Sequence, residues 1–99
     1  MESVNFSRLR AQYLEGKGTE VSRLLELSYQ EHTELDNLNK FIHQTLGNSE
    51  MYGFDELGIM CLKLKSARDS GDFEEVKFLL EMILSFVESH RVLSETIQS

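Results

Sequence analysis

Proline and tryptophan are absent from these 99 residues, cysteine occurs once and glycine six times. Without proline, no helix in the chain is forced to kink or stop by a locked φ and a missing N–H. A single cysteine, Cys61, excludes an internal disulfide and leads us to expect a reducing, cytoplasmic setting. Positive charge is scarce. Ten Lys and Arg stand against 17 Asp and Glu, which gives a formal net charge of −7 and a pI near 4.9. Nucleic-acid and anionic-membrane partners are therefore disfavoured, since both need clustered cations. Long apolar runs are also missing. The longest, Ile59-Met60-Cys61-Leu62, is far too short to span a bilayer. Met1-Glu2-Ser3-Val4-Asn5 has neither the basic nor the apolar stretch of a signal peptide. With Met1 at the start and no linker, we expect a single domain over residues 1–99 that stands alone.

What remains favours helix. Leu and Glu, both good helix formers, are the commonest residues, and β-branched residues are few. Three glycine-containing breaks punctuate the chain, at 15–18, 47–53 and 69–72, and between them apolar residues recur at helical spacing. The pattern predicts a short N-terminal helix over 5–14 and bundle helices over 19–31, 33–49, 54–69 and 72–96. Thr19 is a plausible N-cap for the second. Thr33-Glu34-Leu35-Asp36 reads as a capping box for the third, and Asp72-Phe73-Glu74-Glu75 as a start signal for the last. Short connections between long helices imply antiparallel neighbours. The expected fold is all-α: an antiparallel up-down four-helix bundle with an additional short N-terminal helix across one end.

One position stands out on this frame. On the 33–49 helix, taken at about 100° per residue, Leu35, Leu38, Ile42, Thr45, Leu46 and Ser49 share a face, and His43 lies roughly 110° from its centre. His43 therefore sits at the edge of the core, held by neighbours yet open to solvent. Lys40 is one turn before it and Gly47 one turn after it, on the same side. Glycine inside a helix costs about 1 kcal/mol relative to alanine, a cost tolerated where a side chain would be in the way. At Gly47 that side chain would cover the surface beside His43. The bland alternatives are a boundary histidine and a glycine that belongs to a helix crossing or a helix end.

The stretch Phe41-Ile42-His43-Gln44-Thr45-Leu46-Gly47-Asn48-Ser49-Glu50-Met51-Tyr52-Gly53-Phe54 resembles the histidine-containing phosphotransfer (HPt) domains of bacterial phosphorelays. The likeness lies in the histidine, the glycine four residues on, the small polar residues after that, and the second glycine ten residues from the histidine. It continues through Leu57, Cys61 and Leu64 and through Ala67-Arg68-Asp69-Ser70-Gly71-Asp72-Phe73, and covers about Val21 to Val87. Thr45 and Leu46 depart from it: the family commonly has an apolar residue two after the histidine and a basic or small one three after it.

The resemblance implies that His43 accepts a phosphoryl group from a receiver-domain aspartyl phosphate and passes it to another receiver, with Lys40, Gln44, Gly47, Asn48 and Gly53 supporting the ring or docking the partner. The implied partners are the receiver domains of a hybrid sensor kinase and of a response regulator. No cofactor or metal is expected on this chain; Mg²⁺ is expected on the partner receiver. No phosphate-cradling glycine loop or kinase nucleotide signature occurs, so the chain is not expected to use ATP, and the resemblance implies a phosphoryl carrier dependent on its partner receivers rather than an enzyme.

The remaining candidates have plainer readings. His32 is expected at a helix end and His90 partly buried on the last helix. Cys61 reads as a small core hydrophobe. Met51, Tyr52 and Phe54 read as a plug for the bundle end, with receiver docking as the sharper alternative. Lys63, Lys65 and Arg68 read as a solvated face. No Glu-x-x-His pair occurs, and the His and Cys spacing does not suit zinc. Two other functions fit the composition: a non-catalytic helical adaptor that binds a kinase or receiver, and a dimerisation module built on the last helix near Leu93 and Ile97.

Overall fold

A computed structural model describes the backbone of residues 2–98 and the side chains of residues 6–90. Four α-helices make up the fold: α1 Glu2–Leu25, α2 His32–Asn48, α3 Asp55–Asp69 and α4 Phe73–Gln98. Each packs on its neighbours in sequence, and α4 closes the ring against α1. The end of α2 lies beside the middle of α1, where the Tyr13 hydroxyl donates to Asn48 Oδ1 at 2.5 Å. Ser49, after α2, meets Gly58 in the first turn of α3. Phe54, at the head of α3, packs edge-on to Phe86 and His90 late in α4. Gly18 of α1 faces Val87 of α4, while Tyr29 beyond the end of α1 stacks on Phe73 at the start of α4. These pairs make neighbouring helices antiparallel.

The separate N-terminal helix expected over 5–14 does not exist. Residues 2–25 form one helix that runs straight through Gly16 and Gly18. Packing overrides the glycine penalty here. Leu14, Lys17, Val21 and Leu24 are buried along one stripe that crosses the supposed break. At Gly18 a methyl group would sit 3.3 Å from Val87 Cγ1, so the glycine lets α1 and α4 approach closely. Thr19 is not a cap. Its hydroxyl donates back to the Glu15 carbonyl at 3.1 Å, as a threonine inside a helix does.

The second helix ends at Leu25, not at residue 31, and the chain turns through Tyr29 at φ 62°. A tyrosine in the left-handed region is strained, and burial holds it there. Its ring is 4% exposed, and its hydroxyl donates to the Leu24 carbonyl at 2.6 Å. Burial pushes the Tyr29 phenol up from 10.0 to about 12, with the Glu34 charge adding to the effect. A raised phenol favours the folded state fully below pH 10, and that contribution is lost as pH rises from 10 towards 12. Tyr29→Phe is expected to cost about 1 kcal/mol at neutral pH, since Leu24 keeps its bond from the Leu27 N–H. The difference between wild type and variant should narrow in urea melts above pH 10.

The expected capping box at Thr33 and Asp36 is displaced to Glu31 and Glu34. The Glu34 carboxylate accepts backbone N–H bonds from Ser28, Gln30 and Glu31 and one from the Ser28 hydroxyl, so it satisfies loop and helix start together. Asp36 lies too far along the helix for that. These bonds, that from Ser28 first, hold the Glu34 carboxyl below its ordinary 4.5. A lowered carboxyl contributes stability above its unfolded value and loses it as pH falls. Thermal melts of Glu34→Gln should therefore lie below wild type at pH 7 and converge with it in acid.

The other boundaries fall within one residue of the expected ones, apart from the last helix, which runs to Gln98. Asp72 caps α4 by accepting the Glu75 N–H at 3.2 Å. The core is a single cluster built on Leu14, Leu38, Leu57, Leu64, Leu80 and Ile83. Among the described residues no helix is long and apolar enough to cross a membrane, and no three His, Cys, Asp or Glu side chains gather as a metal site. Leu93 and Ile97 lie outside the residues whose side chains are described.

Candidate functional site

His43 is exposed on α2, between buried Ile42 and buried Thr45. It borders an open cleft between α1 and α2. From α2 the cleft takes His43, Gln44, Gly47 and Asn48; from α1 it takes Gln12, Tyr13, Gly16, Lys17 and Glu20. Antiparallel packing builds it, because it sets the middle of α1 against the last two turns of α2.

Sequence reasoning and structure overlap only in part here. Gln44, Gly47 and Asn48 share the cleft with His43. Asn48 is half-buried, and its side-chain oxygen is engaged by the Tyr13 hydroxyl. Lys40 is exposed but lines the neighbouring groove with Asn37, Phe41 and Gln44 of α2, Glu20, Arg23 and Leu24 of α1, and Glu26 and Leu27 just beyond it. Gly53 lies outside the cleft, in the α2–α3 turn at φ 80°, beside the Arg10 guanidinium. Lys65 is exposed on α3 and is not among the residues that line the cleft.

The missed half of the cleft is α1. Its residues 12, 13, 16, 17 and 20 lie on one face of a continuous helix. Breaking the helix at Gly16–Gly18 hid that spacing. Lys17 is the most informative of them. Its side chain is 6% exposed, and Nζ donates to Glu20 Oε2 at 3.3 Å. The ammonium also lies 5.2 Å from the Phe41 ring and 5.4 Å from the Tyr13 ring, within cation–π range. Below it Cys61 is fully buried. Burial pushes the thiol up to about 11, with the Lys17 charge pulling the other way, so Cys61 is a packed, protonated thiol.

The six glycines separate by cause. Gly53 and Gly71 have positive φ, and Gly18 and Gly58 sit under close contacts from Val87 and Ser49. Gly16 and Gly47 have neither: a methyl group at either meets nothing within 4 Å. Gly16 lies inside α1, where glycine costs about 1 kcal/mol, Gly47 lies in the last turn of α2, and both line the His43 cleft.

The other histidines are accounted for structurally. His32 opens α2 and is exposed. His90 Nδ1 donates to the Phe86 carbonyl at 3.0 Å and packs on Phe86 and Phe54. Phe54 is buried, with Tyr52 half-buried beside it and Met51 71% exposed, so the α2–α3 turn is only partly a plug. Arg10 closes that end, with Nε donating to the Tyr52 carbonyl at 2.8 Å and its guanidinium 4.6 Å from the Phe54 ring. Thr45 and Leu46 point inward: Thr45 is fully buried, and Leu46 packs against the core. Arg68 is not simply solvated, since it is half-buried and bonded to Asp69 at 3.0 Å.

Compared with family models, curated proteins and solved structures, the chain matches none of them.

Proposed function

We propose that the protein is a phosphorelay carrier of the HPt kind. His43 accepts a phosphoryl group from an aspartyl phosphate on a receiver domain and gives it to a second receiver. The observation that carries this reading is the cleft: an exposed histidine flanked by two helical glycines that neither backbone nor packing requires. An open rim beside an imidazole suits a partner whose reacting group must come to the ring. The likeness of residues 41–54 and 67–73 to HPt domains supports the same reading.

The chemistry balances with little help from this chain. The lone pair of a neutral imidazole nitrogen attacks phosphorus, the acyl phosphate P–O bond breaks, and the aspartate leaves as its carboxylate. Transfer to the second receiver reverses the sequence on a new aspartate. Mg²⁺ held by the receiver neutralises charge on the moving phosphoryl group. What the carrier supplies is an exposed ring on a helix, at the rim of an open cleft. The buried, unpaired Cys61 fits a reducing compartment such as the cytoplasm.

Leu46, where a basic residue is common in the family, favours one competing reading: an adaptor that binds a receiver without accepting phosphate. The two separate in one assay. Incubation with a panel of radiolabelled phospho-receivers should place an acid-labile, alkali-stable label on the carrier. Binding to a receiver with no label from any donor would leave the adaptor.

A further inference from the structure

We infer that the cleft beside His43 is a phosphate-class anion subsite whose cation is Lys17, supplied by α1 rather than by the helix that carries the histidine. The inference rests on the phosphorelay reading of His43 for its ligand, and on the cleft itself for its residues. Nine residues line the cleft, and Lys17 is the sole Lys or Arg among them. Lys40 faces the next groove, and Leu46, three residues after His43, packs against the core.

Lys17 is also expensive where it is. An ammonium whose side chain is 6% exposed has three donors to satisfy. Among the described residues it makes one long hydrogen bond, to Glu20 at 3.3 Å, and faces two aromatic rings. Replacing such a buried charge with an apolar side chain of similar volume is often neutral or stabilising. Three features that cost stability, Gly16, Gly47 and Lys17, thus meet in one small cleft, as expected where a site rather than the fold selects the residues.

Glu20 gives the subsite a resting state. Its side chain is 45% exposed, so it can leave Lys17 without desolvation cost. A phosphoryl group on His43 adds a charge of about −1.5 to −2 at neutral pH. The Lys17 ammonium exchanges the Glu20 carboxylate for the phosphoryl oxygens, which offer more acceptors and more charge. On a chain of net charge −7 this local cation matters.

The test bypasses the receivers. Phosphoramidate, a small-molecule donor, phosphorylates imidazole: its P–N bond breaks, ammonia leaves, and a new P–N bond forms on the ring. On the full chain, the ³¹P signal that is missing from His43→Gln is titrated with pH. Lys17→Met should move the phosphoryl midpoint up by about one pH unit, while Lys17→Arg stays near wild type and Lys40→Met does not move it. An unchanged midpoint in Lys17→Met overturns the subsite. Should Lys17→Met lose its helical fold, Glu20→Gln decides: a lowered midpoint supports the subsite and an unmoved one overturns it. The two claims fail separately. Receivers that label His43 with no Lys17 effect leave the carrier without this subsite. A Lys17 effect with no labelling by any receiver leaves an anion subsite without the relay.

Discussion

Replacing His43 with glutamine should abolish phosphoryl transfer from every receiver that labels the wild-type chain. Glutamine keeps the bulk and hydrogen-bonding character of the position but has no nitrogen lone pair to attack phosphorus. The fold has no stake in the change. His43 is exposed, and no hydrogen bond of its ring occurs among the described residues, so the stability should stay within about 0.5 kcal/mol of wild type. Loss of transfer then cannot be blamed on unfolding. His90→Gln should behave in the opposite way. It breaks the bond to the Phe86 carbonyl and the packing on Phe54, so it should lower the melting temperature while transfer survives below it.

The second large effect separates stability from activity. Gly16→Ala introduces a methyl group into open space inside α1, and Gly47→Ala does so in the last turn of α2. Each should stabilise the protein by about 0.5–1 kcal/mol, and with no shared contact the two should add. For a domain of this size that is a rise of roughly 4–16 °C in melting temperature for the double variant. A larger side chain reverses the benefit for function. Gly47→Glu fits the same open space and keeps the helix, but it stands in the cleft beside His43, where under the proposed function a receiver would bring its phosphoryl group. Misplacement of the reacting atoms by about 1 Å costs on the order of 100-fold in rate, and a like charge facing the phosphoryl group adds to that. The expected result is a protein at least as stable as wild type with transfer reduced about 100-fold. Transfer unaffected by Gly47→Glu would mean that the open rim serves nothing.

These two experiments bear on the residues that sequence reading handled best and worst. The all-helical architecture is legible because the apolar residues keep the 3.6-residue period over long stretches. The α2–α3 and α3–α4 turns are legible because Gly53 and Gly71 need positive φ, and Asp72 does what a capping aspartate does. His43 and Gly47 are legible as a pair because they lie one turn apart on one helix. The α1 side of the cleft is not legible in the same way. Gly16 and Gly18 look alike in the sequence and suggest a break, yet one admits Val87 and the other borders the cleft. Only the packing of α4 on α1 tells them apart. Reading 2–25 as two helices put Lys17 in a turn, where a lysine is solvated and unremarked. In one helix it falls on the buried stripe with Leu14 and Val21. The capping box of α2 lies elsewhere than its sequence suggests for a similar reason. Thr33 is a good cap by type, but Glu34 satisfies the loop and the helix at once, a bond pattern set by how residues 26–31 fold back.

Stability and function therefore draw on different residues of the same two helices. Leu14, Val21 and Leu24 of α1, with Leu38, Phe41 and Ile42 of α2, are buried and hold the pair in place. Between and above them lie the residues that weaken it: two glycines without a structural cause and a lysine with one hydrogen bond. That division leaves His43 exposed on a helix held by buried neighbours, as the proposed phosphoryl carrier would require.

The most direct measurement is the location of the phosphate after transfer. The chain, uniformly ¹⁵N-labelled, is incubated with a phosphorylated receiver and Mg²⁺, and the ³¹P–¹⁵N coupling of the product is read by NMR at alkaline pH. A phosphorus-coupled imidazole nitrogen assigned to His43, and absent from His43→Gln, is the predicted result. Phosphate coupled to His32 or His90, or a product with no coupled imidazole nitrogen from any receiver tried, would contradict it.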